Sequence, residues 1–302
     1  MNRAKLKAWM HASRLRTLPL AISGILLGSM LAYADGMMNN TVLVLALITT
    51  LLLQILSNFA NDYGDFIHGT DNNKRVGPVR SVQSGAITPK QMKVAMLITS
   101  GLAFISGIAL LMVSLHGKFN LIFTCFLIIG ILAIAAAIKY TVGKSNYGYK
   151  GLGDIMVFLF FGIAAVWGTY FLHTSIINWM VLVPAIAVGL LSTGVLNINN
   201  MRDIKNDKAS GKNTLVVKLG STKSKNYHSI LVALPILLSF IFLMLLQDFM
   251  GIILILIPSS MLAKHLTKVF QNTEPRLLDP ELKRLSLTTL LFSILLGIGI
   301  NL

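Results

Sequence analysis

Charged residues and cysteine are both scarce in this 302-residue chain. Only 12% of the residues are charged, whereas soluble globular chains carry about a quarter, which argues against an ordinary soluble protein. The lone cysteine, Cys125, lies in an apolar run without a partner, so a disulfide framework and a zinc site are both excluded. Six scattered histidines without HxxH or HExxH spacing add no metal signature of their own.

Apolar residues are plentiful instead. They make up 55% of the chain, and a mean hydropathy of +0.73 is the opposite of a disordered composition. A helix needs roughly 20 apolar residues to cross the hydrocarbon core of a bilayer. Nine runs approach this length and predict an all-α integral membrane protein with a single domain, residues 1–302. The predicted spans are residues 17–34, 41–60, 94–115, 119–138, 152–172, 177–198, 228–246, 249–264 and 285–301.

The basic residues predict the orientation of these spans, because Lys and Arg concentrate in cytoplasmic loops. With the N-terminus inside, 25 of the 26 basic residues fall in inside segments, and Lys118 is the exception. Eight spans would break this alternation, so the charges support nine helices with the N-terminus in and the C-terminus out. The net charge of +15 is therefore mostly topological, and no nucleic-acid partner is indicated.

Two predicted inside segments, residues 61–93 and 199–227, are much longer than the 2–8 residues that typically connect helices in bundles. Each begins with a compact acidic motif at the inner end of a span. The first motif contains Asn58, Asn61, Asp62 and Asp65 and is followed by Asp71, and the second contains Asn199, Asp203 and Asp207.

The spacing within each motif places its members on one face if the helix continues through it. Carboxylate and amide oxygens suit a hard ion such as Mg²⁺, which usually takes one or two carboxylates and completes its shell with water and phosphate oxygens. Two facing Asp pairs, Asp62 with Asp65 and Asp203 with Asp207, therefore predict a two-metal clamp on a diphosphate.

Acids at helix ends can also simply pair with neighbouring basic residues at a solvated interface. Two Asn/Asp sets on the same predicted side, four helices apart, favour the metal site over that alternative. Arg80 and Arg202 are the predicted phosphate contacts, because the guanidinium fork matches phosphate oxygens. The other basic neighbours are expected mainly as positive-inside anchors; they are Lys74, Arg75, Lys205, Lys208 and Lys212.

Further segments complete a recognisable pattern: residues 14–19, 77–88, 148–154, 158–162 and 211–220. With the two Asp motifs, they make nearly the whole chain resemble the UbiA superfamily of membrane prenyltransferases. The segments 77–88 and 211–220 point to the branch that acts on 1,4-dihydroxy-2-naphthoate in menaquinone synthesis.

The resemblance implies nine transmembrane helices around a central cavity, capped by cytoplasmic loops that carry the Asp motifs. It implies that Mg²⁺ ions bind a polyprenyl diphosphate, with Asp62 and Asp65 holding one ion and Asp203 and Asp207 the other. It also implies that Asn58, Asn199 and Asp71 assist at the metals. The candidates for contacting the donor are Asn58, Asn61, Arg80 and Arg202.

The implied reaction joins the allylic carbon of the donor to the electron-rich naphthoate ring, with loss of diphosphate and CO₂, and gives demethylmenaquinol. An apolar cavity would accept the prenyl tail from the lipid bilayer and exclude water. The candidates for orienting the acceptor are Lys139, Tyr140, Tyr147 and Lys150, for which interfacial anchoring is an equal alternative. The implied location is the cytoplasmic membrane of a bacterium.

Other functions remain as alternatives. A transporter could use polar motifs as an ion pathway, but its site is expected near the bilayer midplane, and both motifs here lie at inner ends. A superfamily member that uses 4-hydroxybenzoate or homogentisate would share both Asp motifs. A non-catalytic scaffold would need neither metal-ligand set.

Overall fold

The computed structural model describes residues 3–72, 76–143 and 146–302, and within these ranges the chain is helical with no β-strand. Lys74 and Arg75, predicted neighbours of the first motif, lie outside the described residues. The helices are α1 (Arg3–Ala12), α2 (Leu18–Ala34), α3 (Asn40–Ile67), α4 (Pro89–Ser114), α5 (Leu121–Lys139), α6 (Gly153–Val157), α7 (Thr169–Thr174), α8 (Leu182–Ala209), α9 (Leu215–Leu245), α10 (Phe249–Gln271) and α11 (Asp279–Ile300).

Nine helical units in the described part of the chain are long and apolar enough to cross a bilayer, which confirms the predicted fold class of a multi-pass helical bundle. Helices α1 and α2 form the first unit, Arg3–Ala34. Another unit, Gly153–Thr174, consists of α6, a π-helix over Phe158–Gly168, and α7. Large apolar side chains such as Leu97 and Ile105 lie exposed on α4, as expected of a surface that faces lipid.

The long connection predicted at residues 199–227 is wrong. Helix α8 continues to Ala209 and α9 begins at Leu215, so only residues 210–214 join them. Helix α9 then bends at Gly220, where φ is 77°, a conformation that glycine adopts without strain. Hydropathy marks the part of a helix that crosses hydrocarbon, and the polar turns beyond it give no apolar signal. The prediction therefore ended α8 too early and began α9 too late.

Helix α8 is the most buried spanning unit and packs against α9, α11 and the π-helix. The close approach of α8 to the π-helix requires glycine at position 162, because a Cβ on Gly162 would lie 2.6 Å from the main-chain oxygen of Ala185. Helix α11 returns to pack against α2. This arrangement brings the C-terminal turns of α3 and α8 together at one end of the bundle, which is called the motif end below.

Candidate active site

Helix α3 continues through the first acidic motif, so Asn58, Asp62 and Asp65 share a buried face, as their spacing predicted. Asp62 is only 1% exposed. Its two carboxylate oxygens accept hydrogen bonds from the main-chain N–H groups of Ser81 and Val82, each over 3.2 Å. Asp62 thereby ties the connection between α3 and α4 to the end of α3.

Asp65 faces two partners. The hydroxyl of Tyr149 donates to its Oδ1 over 2.9 Å, and Nη2 of Arg80 lies 3.4 Å from its Oδ2. Nε of Arg80 lies 3.7 Å from Oδ1 of Asp71. Nη1 of Arg80 is buried and has no hydrogen-bond acceptor among the described residues. Arg80 therefore has N–H groups at the motif end that an anionic ligand could use.

Arg202, in the second motif, differs from Arg80 because protein oxygens surround its guanidinium. Its Nε and Nη2 donate to the two carboxylate oxygens of Asp203 over 3.0 and 2.6 Å. Nη2 also donates to Oδ1 of Asn199 over 2.9 Å, and Nη1 donates to Oδ1 of Asp279 over 2.5 Å. This geometry supports a positioning role for Arg202, and its predicted contact with phosphate stays a prediction.

A short chain of hydrogen bonds links the two motifs. Nδ2 of Asn206 donates to the main-chain oxygen of Thr70 over 2.9 Å, and Oγ1 of Thr70 lies 2.6 Å from the hydroxyl of Tyr149. Because the single phenolic hydrogen of Tyr149 goes to Asp65, the hydroxyl of Thr70 is the donor in the bond with Tyr149. The end of α8 is thus connected to Asp65 on α3 through two residues, Thr70 and Tyr149.

Lys212 adds a buried positive charge beside both motifs. Its Nζ lies 3.9 Å from Oδ1 of Asp207 and 5.3 Å from the centre of the Tyr149 ring, within cation–π range. Burial alone would lower the pKa of Lys212, but the carboxylates of Asp65 and Asp207 raise it above its usual value. The ammonium group therefore stays charged.

The four candidates for the acceptor side lie in unlike environments. The side chains of Lys139 and Lys150 are exposed. Tyr147 donates its hydroxyl to a main-chain carbonyl of α5 over 2.8 Å, as a structural residue would. Burial raises the pKa of Tyr140 to about 12, although the charge of Lys212 opposes this rise. Tyr140 therefore keeps its proton and shares the electrostatic environment of the acidic motifs.

Two predicted amide ligands make contacts with the scaffold. Nδ2 of Asn58 donates to the main-chain oxygen of Ser13 over 2.9 Å, which fixes the segment before α2. Oδ1 of Asn61 accepts a hydrogen bond of 3.3 Å from Thr141, just after α5. The direct part of Asn58 and Asn61 in ligand binding stays a prediction.

The side chains at the motif end are chemically suited to a hard divalent cation, because the acidic motifs offer carboxylate and amide oxygens. Within the described ranges, no three His, Cys, Asp or Glu side chains form a ready-made metal cluster. Oδ1 of Asn206 is buried and accepts no hydrogen bond from any described residue. A buried oxygen of this kind is costly unless a donor or a cation satisfies it, so the donor set fits Mg²⁺ in its chemistry.

The sequence analysis did not single out four residues that contribute to the motif end: Thr70, Tyr149, Asn206 and Asp279. Asn206 lies three residues after Asp203, so helical spacing was a usable signal for it. The Tyr147-Gly-Tyr149 pattern marked two tyrosines without indicating which one faces the carboxylates. Asp279 is far from both motifs in the sequence, and no local pattern connects it with Arg202.

A comparison with protein-family models matches residues 21–279 to the UbiA prenyltransferase family. A 1,4-dihydroxy-2-naphthoate octaprenyltransferase of Haemophilus influenzae is 44% identical to the chain over 303 residues, which cover 99% of this chain and 97% of the relative. The enzyme of the same description from Escherichia coli is also 44% identical, with 98% and 96% covered.

Solved structures share the fold. A UbiA homolog from Aeropyrum pernix K1 superimposes with a TM-score of 0.66 at 17% identity and covers 97% of both chains. A UbiA homolog from Archaeoglobus fulgidus, solved with GPP and Mg²⁺, gives a TM-score of 0.61 at 17% identity, with 96% of this chain and 100% of that chain covered.

Proposed function

The chain belongs to the UbiA prenyltransferase family, and we propose that it transfers a polyprenyl group from an allylic diphosphate to 1,4-dihydroxy-2-naphthoate. Diphosphate and CO₂ leave, and demethylmenaquinol forms in menaquinone biosynthesis. The observation that carries this proposal is the 44% identity, over nearly the full length, with two relatives described as 1,4-dihydroxy-2-naphthoate octaprenyltransferases.

Mg²⁺ is the proposed metal. Asp62 and Asp65 on α3 would hold one ion, and Asp203 and Asp207 on α8 the other. The additional proposed oxygen ligands are Asn58, Asp71 and Asn199. In support, an Archaeoglobus fulgidus UbiA homolog was solved with DMAPP and Mg²⁺. When bound, Mg²⁺ supplies Lewis-acid stabilisation of the negative charge that develops on the departing diphosphate.

Two basic side chains of the protein are proposed to bind the diphosphate of the donor and to stabilise its charge. Arg80 donates to diphosphate oxygens from the buried N–H groups that have no acceptor among the described residues, and Lys212 adds positive charge beside both motifs. The allylic C–O bond breaks and its electron pair leaves with the diphosphate, which these cations stabilise. An electron pair of the naphthoate ring then forms the new C–C bond, and the ring carboxylate is lost as CO₂.

On the acceptor side, Tyr140 is the proposed orienting residue. Because burial raises its pKa to about 12, it acts as a neutral hydrogen-bond donor to the acceptor and not as a base. Lys139, Tyr147 and Lys150 are proposed to shape this side of the site at its exposed edge, where Tyr147 supports α5.

The proposed location is the cytoplasmic membrane of a bacterium, with one domain, the N-terminus inside and the motif end facing the cytoplasm. The positions of 25 of the 26 basic residues in the predicted inside segments support this orientation. Both described relatives are bacterial, which supports the membrane assignment.

Mass spectrometry of the product tests the proposal. Purified protein is mixed with Mg²⁺, geranylgeranyl diphosphate and, in separate reactions, 1,4-dihydroxy-2-naphthoate, 4-hydroxybenzoate or homogentisate. We expect a prenylated product only with the naphthoate, and its mass should show loss of CO₂. A product formed only from another acid would replace the acceptor assignment, and failure to release diphosphate with any acceptor would contradict prenyl transfer and favour a transporter.

A further inference from the structure

Asp279 is the first residue of α11 and lies outside both acidic motifs in the sequence, but it contacts the second motif in space. Its Oδ1 accepts a hydrogen bond of 2.5 Å from Nη1 of Arg202. Arg202 is 1% exposed, and its other two guanidinium nitrogens bind both carboxylate oxygens of Asp203. One buried guanidinium therefore joins a motif carboxylate to the start of α11.

The charges in this cluster balance only when Asp279 is included. Arg202 pairs with Asp203, and Oδ2 of Asp279 also lies 3.5 Å from Nη1 of Arg16. Two guanidinium groups thus face two carboxylates. The side chain of Asp279 is 35% exposed, but that of Arg202 is fully buried, and a buried charge that loses one of its partners is poorly compensated. Without Asp279, Nη1 of Arg202 would lose its carboxylate partner, and the guanidinium could reorient and draw Asp203 with it.

The start of α11 is held firmly enough to serve as such a reference point. Glu281, two residues after Asp279, is 4% exposed and lies 2.8 Å from Nδ1 of His265 on α10. Nε2 of His265 in turn lies 2.9 Å from Nε2 of His228 on α9. A buried hydrogen-bonded chain therefore ties the first turn of α11 to two neighbouring helices.

We propose that Asp279 is a positioning residue for the second acidic motif: it holds the Arg202 guanidinium so that the carboxylate of Asp203 keeps the orientation needed to bind a divalent cation. Asp279 acts through Arg202 and touches neither substrate nor metal. Outer residues that orient a metal ligand typically contribute 10- to 100-fold to metal affinity or activity. This inference rests on the proposed function only in taking Asp203 as a metal ligand.

Titration of the purified full-length protein with Mn²⁺, followed by electron paramagnetic resonance without either substrate, tests the inference. We expect Asp279→Asn to raise the half-saturating Mn²⁺ concentration about tenfold, and Asp279→Glu to recover part of this loss. The matched control is Glu274→Gln, an exposed acid just before α11, which should bind like wild type. At saturating Mn²⁺, Asp279→Asn should recover prenyl transfer to within about threefold of wild type, a split between affinity and turnover that a general packing defect would not show.

A double-variant cycle tests whether Arg202 carries the effect. In an Arg202→Met background, Asp279→Asn should change Mn²⁺ affinity less than about twofold, since the intermediary is already absent. A full additional tenfold loss there, or wild-type affinity of the single Asp279→Asn variant, would overturn the inference.

Asp279→Ser, with a smaller neutral oxygen, repeats the test if Asp279→Asn does not fold. If neither variant folds while Glu274→Gln does, the residue has only a structural role and the inference fails. Because the titration contains no acceptor, a wrong acceptor would appear in the product assay and leave these Mn²⁺ affinities unaffected.

Discussion

Tyr149 donates its phenolic hydrogen to Oδ1 of Asp65 over 2.9 Å, and the same hydroxyl accepts from Thr70. Since Thr70 also receives a hydrogen bond from Asn206 of the second motif, Tyr149 lies on the connection between the two acidic helices. This position makes the hydroxyl of Tyr149 a contributor to the orientation of Asp65, although the local sequence does not distinguish Tyr149 from Tyr147 in this role.

Removing this hydroxyl should weaken the site while leaving the fold intact. A hydrogen bond to a charged group contributes about 1.5–3 kcal/mol, so Tyr149→Phe should lower kcat/KM roughly tenfold or more. The ring remains to pack against Lys212. The measurement is kcat/KM for the donor over a range of Mg²⁺ concentrations. Tyr33→Phe is the matched control, because that tyrosine lies exposed near the C-terminal end of α2. An equal loss in both variants would contradict a specific role for Tyr149.

Asp62→Asn and Asp203→Asn should each lower turnover more than about 100-fold, because a direct metal ligand should contribute more than the 10- to 100-fold of an outer residue. Both variants should elute as folded protein on size-exclusion chromatography with unchanged circular dichroism. Chelation of Mg²⁺ by EDTA should inactivate the wild type to a similar extent and be reversed by added Mg²⁺.

Asp248→Asn is the control for these two substitutions. Asp248 caps α10 at the other end of the bundle through Oδ1 and the N–H of Gly251, and asparagine is an equally good N-cap. The activity of the Asp248→Asn variant should match that of the wild type. Wild-type turnover by Asp62→Asn or Asp203→Asn would rule out the two-metal assignment.

The sequence predicted which faces of α3 and α8 carry the acidic residues, because helical spacing is a local property. It did not predict their partners. Arg80 and Arg202 looked equivalent as guanidinium groups beside an Asp motif, yet Arg202 is held by Asp279 from a distant helix while Arg80 keeps a buried N–H without an acceptor among the described residues. Partners that are brought together only by helix packing cannot be predicted from the local spacing of residues in the sequence.

Arg80→Ala should raise KM for the allylic diphosphate about tenfold or more, since the lost hydrogen bonds are to charged oxygens, and change KM for the acceptor less than about threefold. The donor KM of Arg80→Lys should lie between those of the wild type and Arg80→Ala, because lysine keeps the charge and loses the planar fork. Initial rates at saturating Mg²⁺ give both constants. Arg276→Ala, which removes an exposed basic residue near α11, is the control, and an unchanged donor KM in Arg80→Ala would remove Arg80 from the donor site.

Tyr140 should act as a proton-retaining donor at every pH in which the enzyme works. Burial raises its pKa to about 12, so the neutral form persists as pH rises past the ordinary tyrosine value of about 10 and is lost only as pH passes through 12.

Tyr140→Phe should therefore lower kcat/KM for the acceptor about tenfold, and the ratio of wild-type to variant values should stay constant from about pH 7 to 9.5. The acceptor ionises in the same way in both assays, so its effect cancels in the ratio. The ratio therefore reports only the protonation of Tyr140. Lys118→Gln, an exposed lysine between α4 and α5, should leave kcat/KM for the acceptor within about twofold of wild type. A ratio that falls toward 1 above about pH 9 would show that Tyr140 loses its proton within the working range.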